Sequence, residues 1–158
     1  MGQQQLLLLV LGMVIVGIAV VAGIQAFSEG KAKADRDAAV SDAMRLISDI
    51  QAWMLKPKAF GGGGDSGNWT SVSFQAIGIP SSSLDANGRY LTVNGCYALS
   101  GNSSAATLTI YGLTTDQNGN RVCDANTTIA TVTIDGTTPD DITWSYTTGN
   151  NNNNGGGG

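Results

Sequence analysis

Residues 1–24 read MGQQQLLLLVLGMVIVGIAVVAGI. From Leu6 to Ile24 no side chain is charged or polar, and no Lys or Arg precedes the run. A stretch of this length forms a helix able to cross a bilayer, which takes about 20 residues for about 30 Å of hydrocarbon. A helix buried in a soluble domain would keep one polar face, and this one has none. A cleaved secretory signal has a basic n-region and an apolar core of about 7–15 residues, and both differ here.

The helical pattern does not stop at Ile24. Residues 25–55, QAFSEGKAKADRDAAVSDAMRLISDIQAWML, are rich in Ala and alternating charge, and the first Pro is Pro57. Val40, Ala43, Ile47, Ile50 and Met54 recur at steps of three and four, the stripe of an amphipathic helix. Asp42, Arg45 and Asp49 lie off the stripe at spacings that allow ion pairs worth a few tenths of a kcal/mol. Pro57 and the glycines at 61–64 end the pattern. The reading is one helix over residues 3–55, about 75–80 Å long at ~1.5 Å per residue. Its hydrophobic assembly or membrane segment covers residues 6–24. Leu6, Leu9, Gly12, Ile15, Gly17, Ile18, Val21 and Ile24 are its candidate packing positions. Gly12, Gly17 and Gly23 each cost about 1 kcal/mol relative to Ala in a helix. They serve either close packing in apolar surroundings or local melting during assembly.

Charge and composition then narrow the function. The 158 residues carry 8 Lys and Arg against 12 Asp and Glu, a net charge of −4, which disfavours a nucleic-acid partner. Six of the basic residues (Lys31, Lys33, Arg36, Arg45, Lys56, Lys58) follow the apolar run, so the remainder of the chain is acidic. There is no His, which removes the usual general base near neutral pH and the commonest metal ligand. No cofactor and no metal centre is expected. Asp140 and Asp141 are adjacent after Pro139 in a turn, and adjacency does not make a catalytic pair. The two cysteines, Cys96 and Cys123, are not in a CxxC pattern. They read as one structural disulfide in an oxidising compartment, or as two buried thiols.

After a Gly-rich linker at 56–68, the pattern changes to short alternating runs. TSVSFQAI (70–77), RYLTV (89–93), ATLTIYGLT (106–114), ATVTID (130–135) and ITWSYTT (142–148) place apolar residues on one face and Thr or Ser on the other. This predicts an antiparallel sheet of four to six strands over 69–148, buried on one side. The helix stripe at Val40–Met54 is its packing partner, giving an α+β fold. The last residues, 149–158, are only Asn and Gly and read as a flexible tail.

Two kinds of weaker motif remain. Asn68, Asn102 and Asn126 head N-x-Ser/Thr sequons, candidates for glycosylation. Asp116, Asn118 and Asn120 alternate like the oxygens of a calcium loop. Arg121 and Thr127 stand where Gly and Glu would be needed, so a polar hairpin turn is the better reading.

A Gly before an apolar run of about 20 residues, its continuation into an amphipathic helix, and a small disulfide-closed antiparallel sheet together resemble the type IV pilin superfamily. The resemblance implies a leader, Met1-Gly2, removed by prepilin peptidase between Gly2 and Gln3, with the new N-terminus methylated. Leu7 stands where bacterial pilins carry Glu, so Gln3, Gln4 and Gln5 are the polar groups left to meet a neighbour's N-terminus. It also implies an inner-membrane stage, a pilus assembly machinery, and a helical homopolymer on the cell surface with the β-head outside. Lys31, Lys33 and Arg36 alone would favour a cytoplasmic body. Glu29, Asp35 and Asp37 interleave with them, and the cysteine pair favours the outside.

The expected function is therefore a non-catalytic, structural subunit of an extracellular filament. The competing expectation is a membrane-anchored monomeric binding or adhesin module, with the Thr-rich sheet face as its binding surface.

Overall fold

The computed structural model describes residues 2–147. Met1, part of the expected leader, and the expected tail at 149–158 lie outside the described residues, as does Thr148. The elements are one helix, α1 (Gly2–Leu55), and five strands: β1 (Tyr90–Leu91), β2 (Cys96–Gly101), β3 (Ala106–Thr115), β4 (Arg121–Ile134) and β5 (Ile142–Tyr146). The strands form a single sheet in the order β1-β2-β3-β4-β5, and each neighbouring pair is antiparallel. The chain divides into two compact units, one up to Asp35 and one from Arg36 onward.

The first unit is helix alone, and its described residues are all exposed. In the second unit α1 buries Ala39, Ala43, Leu46, Ile47, Ile50, Trp53 and Met54 in a common core with the sheet. Of the expected stripe, Ala43, Ile47, Ile50 and Met54 are buried, and Val40 is half-buried at its edge. The stripe is wider than the spacing alone suggests, extending on one side to Ala39, Leu46 and Trp53. Across the core the Tyr97 hydroxyl donates to the Ala39 carbonyl over 3.0 Å. Burial pushes the Tyr97 pKa up, and the Asp42 carboxylate adds to the rise.

The sheet contributes Tyr97, Ala106, Leu108, Ile110, Ala130, Val132 and Ile134 to the same core. Burial of each large side chain among them is worth about 1.5–3 kcal/mol. Two polar clasps flank the helix stripe. Asp42 accepts from Asn94 Nδ2 at 2.8 Å, on the β1–β2 side. Gln51 Nε2 donates to the carbonyls of Gly136 and Thr138, at 3.2 and 3.0 Å, on the β4–β5 side. The expected Asp42–Arg45 and Arg45–Asp49 pairs are not formed. Asp42 is turned toward Asn94 instead, and Asp85–Arg89 is the ion pair among the described residues.

The Gly-rich connection after α1 folds back on the helix end. Helices leave their last carbonyls without intrahelical donors. Here Gly63 N–H donates to Trp53 O at 2.9 Å, Asp65 N–H to Met54 O at 2.7 Å, and Gly64 N–H to Lys56 O at 2.9 Å. Gly63 is itself buried, and a Cβ there would stand 2.6 Å from Met54 Sδ. The glycines thus let the backbone press against the helix terminus and satisfy it.

One expected strand is absent. Residues 70–77 form consecutive tight turns, not a paired strand. Val72 and Phe74 still insert into the core, as their alternation suggested. The cause is local: Ser73 Oγ accepts the Ala76 N–H at 3.2 Å, and Ile77 N–H bonds back to Ser73 O at 3.2 Å. A Ser that bonds its own neighbours competes with a strand ladder.

Two hairpin-type turns share one design, D-x-N-G, at Asp85–Gly88 and Asp116–Gly119. In each, Asp Oδ1 accepts the N–H groups two and four residues on, and the Gly has a left-handed φ of 73° or 83°. An Asp that accepts its own downstream N–H groups and a Gly free to take positive φ are the standard ingredients of such turns.

Candidate functional site

No residue of α1 from Leu6 to Ile24 is sheltered. Its large apolar side chains range from 52% exposed at Val14 to 70% at Leu7 and Met13, with Ile15 and Ile18 between. Exposure is nearly even around the axis. Leu6, Leu9, Ile15, Ile18, Val21 and Ile24 all lie on this surface. Phe27, which the sequence reading did not include, extends it by one further turn at 76% exposed. Its signal was legible, since it stands one helical step beyond Ile24.

A Cβ at Gly12, Gly17 or Gly23 would meet no atom within 4 Å. Among the described residues no contact therefore requires glycine at these positions. Gly2 and Gln3, the residues at the expected cleavage point, are both exposed and helical. Unpartnered apolar surface of this extent marks a membrane or protein interaction site. By length and composition α1 is able to cross a membrane.

The second unit carries the remaining candidates. Cys96 and Cys123 are bonded, with Cα atoms 5.4 Å apart and a sequence separation of 27. The bond joins β2 to β4, the two neighbours of β3. Closing a loop of this size stabilises the fold by about 3–4 kcal/mol in the chain-entropy account. Asp85 lies with the two sulfurs inside a 4.8 Å group. Sulfurs bonded to one another are not thiolate ligands, so this group does not form a metal centre. Burial alone would raise the Asp85 pKa. The N–H groups of Arg89 and Asn87 and the Arg89 guanidinium outweigh burial and hold the carboxyl below its ordinary value.

Asp116, Asn118 and Asn120 do come together, at the β3–β4 turn. Asp116 Oδ1 accepts from Asn118 N–H at 2.9 Å and Asn120 N–H at 2.8 Å, and Oδ2 accepts from Asn120 Nδ2 at 3.3 Å. The carboxylate is engaged by the turn itself, and the Asn120 N–H leads in lowering its pKa. This is the geometry of a polar hairpin turn.

The three sequon asparagines are all exposed but differ in their bonding. Asn68 Oδ1 accepts from Thr70 N–H at 3.0 Å and Thr70 Oγ1 at 2.6 Å. Asn102 Oδ1 accepts from Ser104 N–H at 2.8 Å, Ser104 Oγ at 3.2 Å and Ala105 N–H at 2.8 Å. Asn126 stands where β4 loses register with β3. Tyr111 pairs with Thr128, and Gly112 with Asp124, so Ala125, Asn126 and Thr127 bulge out opposite no residue.

The outer face of the sheet is polar and in register. Ser100, Thr107, Thr133 and Thr143 form one row across four strands, and Ala98, Thr109, Thr131 and Ser145 form another. No family model matches this chain, and neither does any curated protein or solved structure.

Proposed function

We propose that the chain is the structural subunit of an extracellular, pilus-like filament. The observation that carries this reading is the apolar surface of residues 6–24, exposed on every side and joined in one helix to the stripe that packs on the sheet. Such a segment needs an apolar environment around its whole circumference. A bilayer supplies one, and a bundle of copies supplies another.

The energetics separate these two surroundings. Moving a large apolar side chain out of water is worth about 1.5–3 kcal/mol, so a run of them far exceeds an association cost of about 4–15 kcal/mol. Return of an assembled subunit to water is therefore strongly opposed. Lipid is already apolar, however, and transfer from bilayer to bundle is close to balanced. A membrane-stage assembly machinery would have to drive that transfer. Contacts that repeat without closing build an open helix of copies. On this reading Gly12, Gly17 and Gly23 meet neighbouring helices, and a prepilin peptidase acts between Gly2 and Gln3. The disulfide supports a head that matures outside the reducing cytoplasm.

The test is substitution within the run. Ile15→Asp or Ile18→Asp should abolish fibres in sheared cell-surface material while the Cys96–Cys123 bond still forms. Fibres that persist in both variants would refute the proposal. Wild-type protein that stays in the membrane fraction and dissolves as a detergent-bound monomer would favour an anchored binding module instead.

A further inference from the structure

We infer that Asn126 is a site of N-linked glycosylation, and that Asn68 and Asn102 are not. This rests on the proposed topology, with the head outside the cytoplasm. A transferase must engage two groups of a sequon together, the Asn side-chain amide and the hydroxyl two residues on. At Asn68 and Asn102 the amide oxygen and the hydroxyl are already bonded to each other. Thr70 Oγ1 bonds Asn68 Oδ1 at 2.6 Å, and Ser104 Oγ bonds Asn102 Oδ1 at 3.2 Å. Backbone N–H groups of the same turns add to both.

Asn126 is arranged differently. Among the described residues neither its side-chain amide nor the Thr128 hydroxyl makes a hydrogen bond. The local turn is held by other groups: Asp124 Oδ1 accepts Asn126 N–H at 3.0 Å, and Asp124 Oδ2 accepts Thr127 Oγ1 at 2.6 Å. The bulge of Ala125, Asn126 and Thr127 lifts the acceptor out of the ladder and leaves all three residues exposed. Gly112 on β3 makes room for it, since a Cβ there would come within 3.2 Å of Thr127 Cγ2. Bulges of this kind re-aim a side chain away from the sheet.

The donor is a lipid-linked oligosaccharide diphosphate. Asn126 Nδ2 attacks the anomeric carbon of its first sugar and forms a C–N bond. The bond from that carbon to the phosphate oxygen breaks, and the lipid diphosphate leaves with the electron pair. The displaced amide proton passes to a base of the transferase.

The sequence makes the test direct. Cleavage after Lys58, Arg89 and Arg121 puts Asn68, Asn102 and Asn126 on three separate tryptic peptides, 59–89, 90–121 and 122–158. Full-length protein from its native cells is digested with and without reduction and weighed by mass spectrometry. The expected result is a glycan mass on peptide 122–158, localised to Asn126, with the other two peptides at their bare masses. Asn126→Gln and Thr128→Ala should remove that mass, and Thr128→Ser should retain it. A bare Asn126 in protein whose peptides 90–121 and 122–158 are still disulfide-linked would overturn this site and leave the topology standing. A bare Asn126 with both cysteines as free thiols would overturn the site and the topology together. A glycan confined to Asn68 or Asn102 would also overturn the site.

Discussion

Tyr97 shows how one side chain joins the two halves of the head. Its ring is fully buried, and its hydroxyl donates to the Ala39 carbonyl of α1. A net hydrogen bond of this kind is worth about 0.5–1.5 kcal/mol, so Tyr97→Phe should lower unfolding stability by about that amount, read by denaturant titration of the full chain in detergent. Gly101 is constrained by contact: a Cβ there would collide with the Trp69 carbonyl and stand 2.7 Å from Val72 Cγ1. Overpacking against backbone costs about 1–3 kcal/mol, the loss expected for Gly101→Ala in the same titration. Three carboxylates set the response to acid. Asp85, Asp116 and Asp141 are each held below the ordinary value of 3.8. For Asp141 the Thr138 hydroxyl leads in the lowering. As pH falls toward 3.8 the unfolded chain takes up protons before the folded one does. Their stabilisation is therefore complete above that value and is lost as pH falls through the folded pKa values. The melting temperature should drop in this window, and a flat profile there would contradict it. Asp85→Asn should make the profile shallower. The contacts of Tyr97 and Gly101 were not legible in the sequence, because only the fold brings their partners together, whereas the carboxylates bond within their own turns.

At the scale of elements, legibility followed periodicity. The apolar run and its amphipathic continuation were readable because each extends over several turns, and β3, β5 and the end of β4 from Ala130 were readable because their alternation is strict. Residues 70–77 alternate equally well, but Ser73 gives the backbone local partners and the segment turns instead of pairing. The core stripe on α1 is wider than its spacing predicts, because Ala39, Leu46 and Trp53 are buried beside Ala43, Ile47, Ile50 and Met54. The repeated D-x-N-G turns were visible in the sequence as two similar strings, while the bulge at Ala125–Thr127 was not, because register is a property of two strands. The disulfide belongs to this scale too. Replacing both Cys96 and Cys123 by Ala should cost about 3–4 kcal/mol, seen as a lower denaturation midpoint, with the largest effect on the β2–β4 side of the sheet. An unchanged midpoint would show that the bond constrains little.

For the whole molecule the decisive quantity is the surroundings of residues 6–24. Their apolar character was fully legible, as no side chain there is polar, and all of them are exposed. What covers them was not legible, because lipid and a bundle of identical helices are nearly equivalent solvents for the same side chains. The account holds that copies of the chain replace lipid. The most direct measurement is to shear native cells, pellet the released material, and examine it by electron microscopy and mass spectrometry after a mild detergent wash. The account predicts long fibres of uniform width in which this chain is the main component and which survive the wash. Protein absent from the pellet and recovered from the membrane as a detergent-soluble monomer would contradict it.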